Sequence, residues 1–252
     1  MPIHVRRIVL LAAAIASIAA ASSAAEGLRN IASVTATTYF NGDWRVESTD
    51  VFLARVWRPL TIEARITRVD TIGYFQHTFY LGPIVNFTDT IYASAIYGLG
   101  YDSAGEFQHE VDVEADYETD TTATSLGVKA DYFPSTGYYY FVPSVSGKFH
   151  PVPALGIFGK FFLSVDSIGV VTESFWGQAD YRFAPWFAAL AGFTVSRANA
   201  FGYSFIAGLD FSITQDIGVQ YTIQYLSDTV EYITSPQPRS GLVNALIVDL
   251  KF

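Results

Sequence analysis

Hydrophobic and polar residues alternate most completely between Glu106 and Asp120. The even positions hold Glu106, Gln108, Glu110, Asp112, Glu114, Asp116, Glu118 and Asp120, and the odd positions hold Phe107, His109, Val111, Val113, Ala115, Tyr117 and Thr119. A β-strand turns successive side chains to opposite faces, so this segment has one strongly anionic face and one mainly apolar face. No helix sorts these residues so cleanly. Ionised groups cannot enter a dry core without a large desolvation cost, and a row of apolar groups is poorly placed in water. A wall between water and lipid satisfies both demands, which predicts a closed membrane barrel with a wet interior and a hydrocarbon-facing exterior.

The same period recurs along the chain. Ile62, Ala64 and Ile66 alternate with Glu63, Arg65 and Thr67. Phe187, Ala189, Ala191, Phe193 and Val195 share one face, and Gly192, Thr194 and Ser196 the other. Tyr203, Phe205, Ala207, Leu209 and Phe211 face away from Ser204, Gly208 and Asp210, and Ile217, Val219, Tyr221, Ile223 and Tyr225 away from Gly218, Gln220, Thr222 and Gln224. A soluble sandwich also alternates, but with its apolar face inside and usually with shorter strands. Turn signals separate these runs in two alternating sets. Tight reversals fall at 57–60, 86–89, 119–122, 150–153, 183–186 and 212–216; polar or glycine-bearing ones, read as longer, fall at 41–47, 70–76, 101–106, 134–137, 166–171, 197–202 and 227–241. Proline cannot continue a central ladder, and Asp, Asn and Gly accommodate reversals. The expected fold is therefore all-β: an antiparallel up-and-down transmembrane β-barrel of about 14 strands, or 12 if two segments belong to loops. Short turns on one side and longer loops on the other suit a bacterial barrel, with the C-terminus on the tight-turn side.

Arg6 and Arg7 precede an apolar run from Ile8 to about Ala21, and Ser23-Ala24-Ala25 offers small residues for cleavage. Residues 1–25 thus read as a secretory signal peptide and 26–252 as a single barrel domain. No later apolar run is long enough for a spanning helix. With no cysteine in the chain, disulfides and thiolate metal sites are excluded. The net charge of −9 argues against nucleic acid as a partner. The 16 Tyr and 20 Phe favour strands over helices and suit the lipid–water boundary.

Leu246, Val248, Leu250 and Phe252 form an alternating apolar series ending on an aromatic residue. This resembles the closing strand of Gram-negative outer-membrane barrels, which implies the cell outer membrane as the location, and its lipid and the barrel-assembly machinery as partners. Length, exported N-terminus and aromatic content also resemble the YaiO-type outer-membrane barrel family, a compositional similarity that transfers no functional residue.

Closing fourteen strands at about 4.8 Å spacing and about 40° tilt gives a backbone cylinder of roughly 28 Å diameter. A turn at Thr119–Thr122 sets Asp112 near Lys129, Glu110 near Asp131 and Glu114 against Gly127. The preceding strand turns Tyr92, Ser94, Ile96, Gly98 and Gly100 inward, which supply no positive charge. Glu106, Glu110, Asp112, Glu114, Asp116 and Glu118 are then expected to line a path that concentrates cations. A salt-bridged inner wall is the competing reading, because Arg55, Arg65, Lys129, Lys148, Lys160 and Arg182 are also expected in the lumen. The expected function is passive passage of small hydrophilic solutes or cations through a monomer. The alternatives are a non-conducting accessory barrel in envelope assembly and, third, a lipid-modifying enzyme.

Interfacial anchors are expected at Trp57, Phe87, Tyr117, Phe149, Phe183 and Trp186 on one rim, and at Trp44, Tyr74, Tyr101, Phe107 and Tyr138 on the other. Catalysis would need a nucleophile, a base and an orienting group. Only His77, His109 and His150 follow the signal, with no recognisable serine arrangement around them, so no catalytic residue is assigned. Three dispersed histidines make a weak metal site, and no nucleotide motif opens a helix, so no metal or cofactor is expected. The 227–241 connection, with Pro236, Pro238 and Arg239, is the best placed to fold into the lumen or to bind a partner.

Overall fold

Every expected reversal falls between two strands of the computed structural model, which describes residues 28–39, 42–198, 201–227 and 241–251. Among these residues there are fourteen strands: β1 (Leu28–Tyr39), β2 (Trp44–Trp57), β3 (Leu60–Thr71), β4 (Tyr74–Asn86), β5 (Ile91–Asp102), β6 (Phe107–Glu118), β7 (Thr122–Phe133), β8 (Tyr138–Val152), β9 (Leu155–Asp166), β10 (Val171–Ala184), β11 (Phe187–Arg197), β12 (Phe201–Ser212), β13 (Ile217–Leu226) and β14 (Gly241–Lys251). Each pairs with its neighbour in sequence, all antiparallel, and β1 pairs with β14, so the sheet closes and leaves no edge. The twelve-strand alternative is thereby set aside. Ala32 and Val34, packed by Val46 and Leu250, form a small buried apolar cluster at the closing seam. Register shifts between Arg55 and Trp57, Phe149 and Val152, and Arg182 and Ala184 mark three of the turns at the end that carries both described termini. In this topology that end is periplasmic.

The expected difference in loop length is present but small: the outer connections 103–106, 134–137 and 167–170 run longer than 58–59, 153–154 and 185–186 at the opposite end, and one pair reverses the order. Strands continue through residues read as loop, so only Ile72 and Gly73 join β3 to β4, whereas residues 87–90 join β4 to β5 at the opposite end. The outer reversals are kept short by local chemistry. Gly42, Gly73, Gly105, Gly137 and Gly169 adopt φ of 70–86°, a region that costs glycine nothing. In the repeated pattern Asp-Ser-x-Gly, Asp102 accepts from the backbone N–H groups of Ala104 and Glu106, and Asp166 from those of Ile168 and Val170. The carboxylate thereby satisfies donors that a tight turn would leave unpaired. Residues 1–25, most of 227–241, and Phe252 lie outside the described residues.

Alternation sorts the two faces as expected. Val111, Val113 and Tyr117 are exposed on the outside of β6, whereas Gln108 and Glu110 are buried on the inside. Leu246, Val248 and Leu250 pair with Ala36, Val34 and Ala32 on the outward face of the seam. The outer wall nevertheless has a polar breach on β2 and β3. Register puts Asp50 opposite Ala32 and Ile66, and Arg68 opposite Ser48 and His77, all with outward parity. Arg68 and Asp70 neutralise each other through two bonds of 2.6 and 3.0 Å. One carboxylate oxygen of Asp50 is buried without a hydrogen-bond partner.

The periplasmic-rim aromatics Trp57, Phe87, Tyr117, Phe149, Phe183 and Trp186 are all exposed, as interfacial anchors require, and so are Tyr101 and Phe107 at the outer rim. Two of the other three outer anchors are a correction: Tyr74 lines the lumen mouth and the Tyr138 hydroxyl bonds Asp166, so these side chains follow the inward face near the strand ends, whereas Trp44 is half-buried at the mouth with outward parity.

Candidate functional site

The pairing of β6 with its neighbours places the acidic stripe. The Thr119 hydroxyl bonds Thr122 in the β6–β7 turn, and that turn fixes Glu110 opposite Asp131, Asp112 opposite Lys129 and Glu114 opposite Gly127. On the other side β5 sets Gly98, Ile96, Ser94 and Tyr92 against Glu110, Asp112, Glu114 and Asp116. The β6–β7 register is the one expected from the sequence, and β5 turns inward the residues expected of it. The ion pair is not the expected one: Lys129 Nζ lies 3.0 Å from Glu110 and 3.7 Å from Asp131 instead of pairing with Asp112. A lysine stem spans the diagonal of a ladder as readily as the direct pair.

Glu110 is the centre of a polar band across β3 to β8. The Tyr80 hydroxyl donates to it at 3.2 Å, and the Arg65 guanidinium lies over the Tyr80 ring, 4.1 Å from its centroid. Gly98 makes this possible, since a Cβ there would stand 2.6 Å from the Tyr80 ring. Gln76 donates to Gln108 at 2.5 Å, and Gln108 in turn donates to the fully buried Asp131. Below the band, Asp116 accepts from Ser125 and Glu118 from Tyr92, while Glu106 accepts from Ser135 at the mouth.

The remaining predicted cations are spread out. Arg65 lies 3.6 Å from Glu63, and Arg65 and Lys160 are within electrostatic reach of Asp112. Arg55 and Arg182 stand near the periplasmic ends of β2 and β10, and Lys148 lies opposite Ala123 and Phe158. Among the described residues, none of Arg55, Lys148, Lys160 and Arg182 comes within 4.0 Å of a carboxylate.

Above the band the lumen opens into a cavity of about 1240 Å³ at the outer end, lined by Tyr39, Trp44, Tyr74, Tyr80, Phe133 and Tyr140 together with Glu106, Glu110, Asp112, Arg65 and Lys129. The sequence marked the acidic stripe but not this aromatic lining, since its six rings come from five strands. The histidines lie elsewhere. On the outward wall His77 stacks on Tyr101 with ring centroids 5.3 Å apart, and His109 Nδ1 is 2.5 Å from the Tyr97 hydroxyl. Among the described residues no three His, Asp or Glu side chains converge to hold a metal ion.

Solved structures share this architecture at low sequence identity. OmpT of Vibrio cholerae, expressed in the outer membrane, superposes with a TM-score of 0.60 at 9% identity, over 89% of this chain and 97% of that one. A bacterial polysaccharide outer membrane secretin gives 0.57 at 10%, over 90% and 99%. The NanC porin gives 0.51 at 10%, over 88% and 100%. These likenesses establish the fold, that of an outer-membrane β-barrel. No protein-family model matches the sequence, and no curated protein matches it.

Proposed function

We propose that the protein is a passive outer-membrane channel for small hydrophilic solutes, with a preference for cations. One observation carries this reading: the inward face of β6 is a row of carboxylates, and β13, seven strands away around the fourteen-strand ring, turns only Gly218, Gln220, Thr222, Gln224 and Leu226 inward. Carboxylates two residues apart on a strand are about 7 Å apart, near enough to sum their fields and far enough for water and ions to lie between them. A wall of one sign facing an uncharged wall raises the local concentration of cations and lowers that of anions.

The polar band favours a second reading. Hydrogen bonds and ion pairs from Gln76 through Gln108, Asp131, Lys129, Glu110 and Tyr80 tie neighbouring strands together, which suits a closed accessory barrel. Purified protein in a planar bilayer under a KCl gradient separates the two, with a reversal potential of cation-selective sign expected. Absence of conductance favours the closed barrel, and anion preference removes the cation reading. Catalysis has less support, because no serine hydroxyl among the described residues hydrogen-bonds His77, His109 or His150. Lipid turnover that depends on His77 or His109 would reverse that ranking.

A further inference from the structure

The outer vestibule combines two features that recognise one class of ligand. Its lining carries six carboxylates, Asp43, Glu47, Asp102, Glu106, Glu110 and Asp112, against three cations, Arg45, Arg65 and Lys129. Its aromatic rings present π-faces, which attract cations and repel anions. Arg45 is held by Glu47 at 2.7 Å, which leaves Arg65 and Lys129 to serve the centre.

Those two side chains occupy their places imperfectly. Arg65 lies over the face of Tyr80 at 4.1 Å, and its buried Nε has Glu63 at 3.6 Å but no hydrogen bond. Asp131 is fully buried, and its Oδ2 also lacks a hydrogen bond, with Lys129 Nζ at 3.7 Å. Lys129 reaches both Glu110, at 3.0 Å, and Asp131, at 3.7 Å, from a stem fixed on the strand of Asp131. A free ammonium or guanidinium group is not tethered in this way.

We propose that the vestibule binds organic cations with a primary amine or guanidinium head on an aliphatic body. The head donates hydrogen bonds to Glu110 or lies on the face of Tyr80, in competition with Lys129 and Arg65. The body lies along Phe133 and Tyr140, whose ring centroids are 6.3 Å apart. The physiological meaning of this site, uptake of such solutes, rests on the channel reading, so binding and conductance are measured separately.

The test is calorimetric titration of the detergent-folded full chain with agmatine, which has an amine at one end and a guanidinium at the other, and with maltose as a neutral ligand suited to aromatic stacking. Saturable binding of agmatine and none of maltose is expected. Glu110→Gln should weaken agmatine by at least about tenfold. Lys129→Met, which removes the competitor, should tighten it by about threefold or more. Tyr80→Phe keeps the ring and should bind agmatine within about threefold of the parent. No saturable agmatine binding, or maltose binding equal to it, overturns the proposal. So does unchanged affinity in Glu110→Gln with heat-modifiable migration intact; if that variant does not fold, unchanged or weaker binding in Lys129→Met overturns it. Binding without bilayer conductance keeps the site and removes the channel, whereas conductance without binding keeps the channel and removes the site.

Discussion

β6 and β13 face each other across the lumen, and both alternate without interruption. Their outward sides are interchangeable: Val111, Val113 and Tyr117 on one, Tyr221, Ile223 and Tyr225 on the other, all exposed. Their inward sides share nothing beyond polarity, carboxylates on β6 and Gln, Thr and Gly on β13. Hydrocarbon makes one demand of every strand that meets it, and an apolar surface of about the right shape satisfies that demand. Water accepts any polar group, so the inward side is free to carry specific chemistry, and this chain concentrates its charge on β2 to β7.

The largest effect should come from violating the shared outward rule. Val113→Arg puts a charge on the lipid face and should cost about 2–4 kcal/mol, seen as loss of the compact heat-modifiable band in detergent. Thr222→Lys, inward on β13, should retain that band. Equal folding of the two would break the assignment of faces. Next in size is the inward difference itself. Changing Asp112 to Asn, Glu114 to Gln and Asp116 to Asn together should lower the cation-to-anion permeability ratio by about threefold to tenfold, from the Coulomb energy of charges about 7 Å from the permeating ion. Replacing Gln220, Thr222 and Gln224 by Ser should leave that ratio nearly unchanged. If both triples act alike, the acidic wall has no special role.

Packing separates the same two walls more gently. Gly98→Ala places a Cβ 2.6 Å from the Tyr80 ring and should lower the midpoint of thermal unfolding through about 1–3 kcal/mol of overpacking. At Gly218 on β13 the nearest atom lies 3.9 Å from a built Cβ, so Gly218→Ala should be close to neutral. The smallest change expected is a gain. Asp50→Val removes an outward carboxylate with an unbonded buried oxygen and should stabilise the barrel by about 1 kcal/mol in urea. A loss of stability there would mean that Asp50 has a partner of its own.

Much of the fold is legible in the amino-acid sequence. Pro, Gly, Asn and Asp mark the reversals, and the turn after Glu118 is enough to set Glu110 against Asp131 and Asp112 against Lys129. Other features cannot be read in the same way. The shortness of the outer loops depends on Asp102 and Asp166 folding back on their own backbone, which turns residues that resemble loop into ladder. The outward position of Asp50 and of the Arg68–Asp70 pair is hidden because the strands that carry them alternate less regularly than β6.

The chain by itself determined the class of fold, the face each residue of β6 takes and the local register of its hairpins, because a period of two and a turn of known length are properties of neighbouring residues. Tertiary structure alone decided that Lys129 serves Glu110, that Tyr80 crosses Gly98 to reach the same carboxylate with Arg65 on its face, and that rings from five strands line one vestibule. The side-chain contacts among these join residues from 15 positions apart, Arg65 and Tyr80, to 30, Tyr80 and Glu110, and closure of β1 on β14 is what holds all fourteen strands at the distance where they act together.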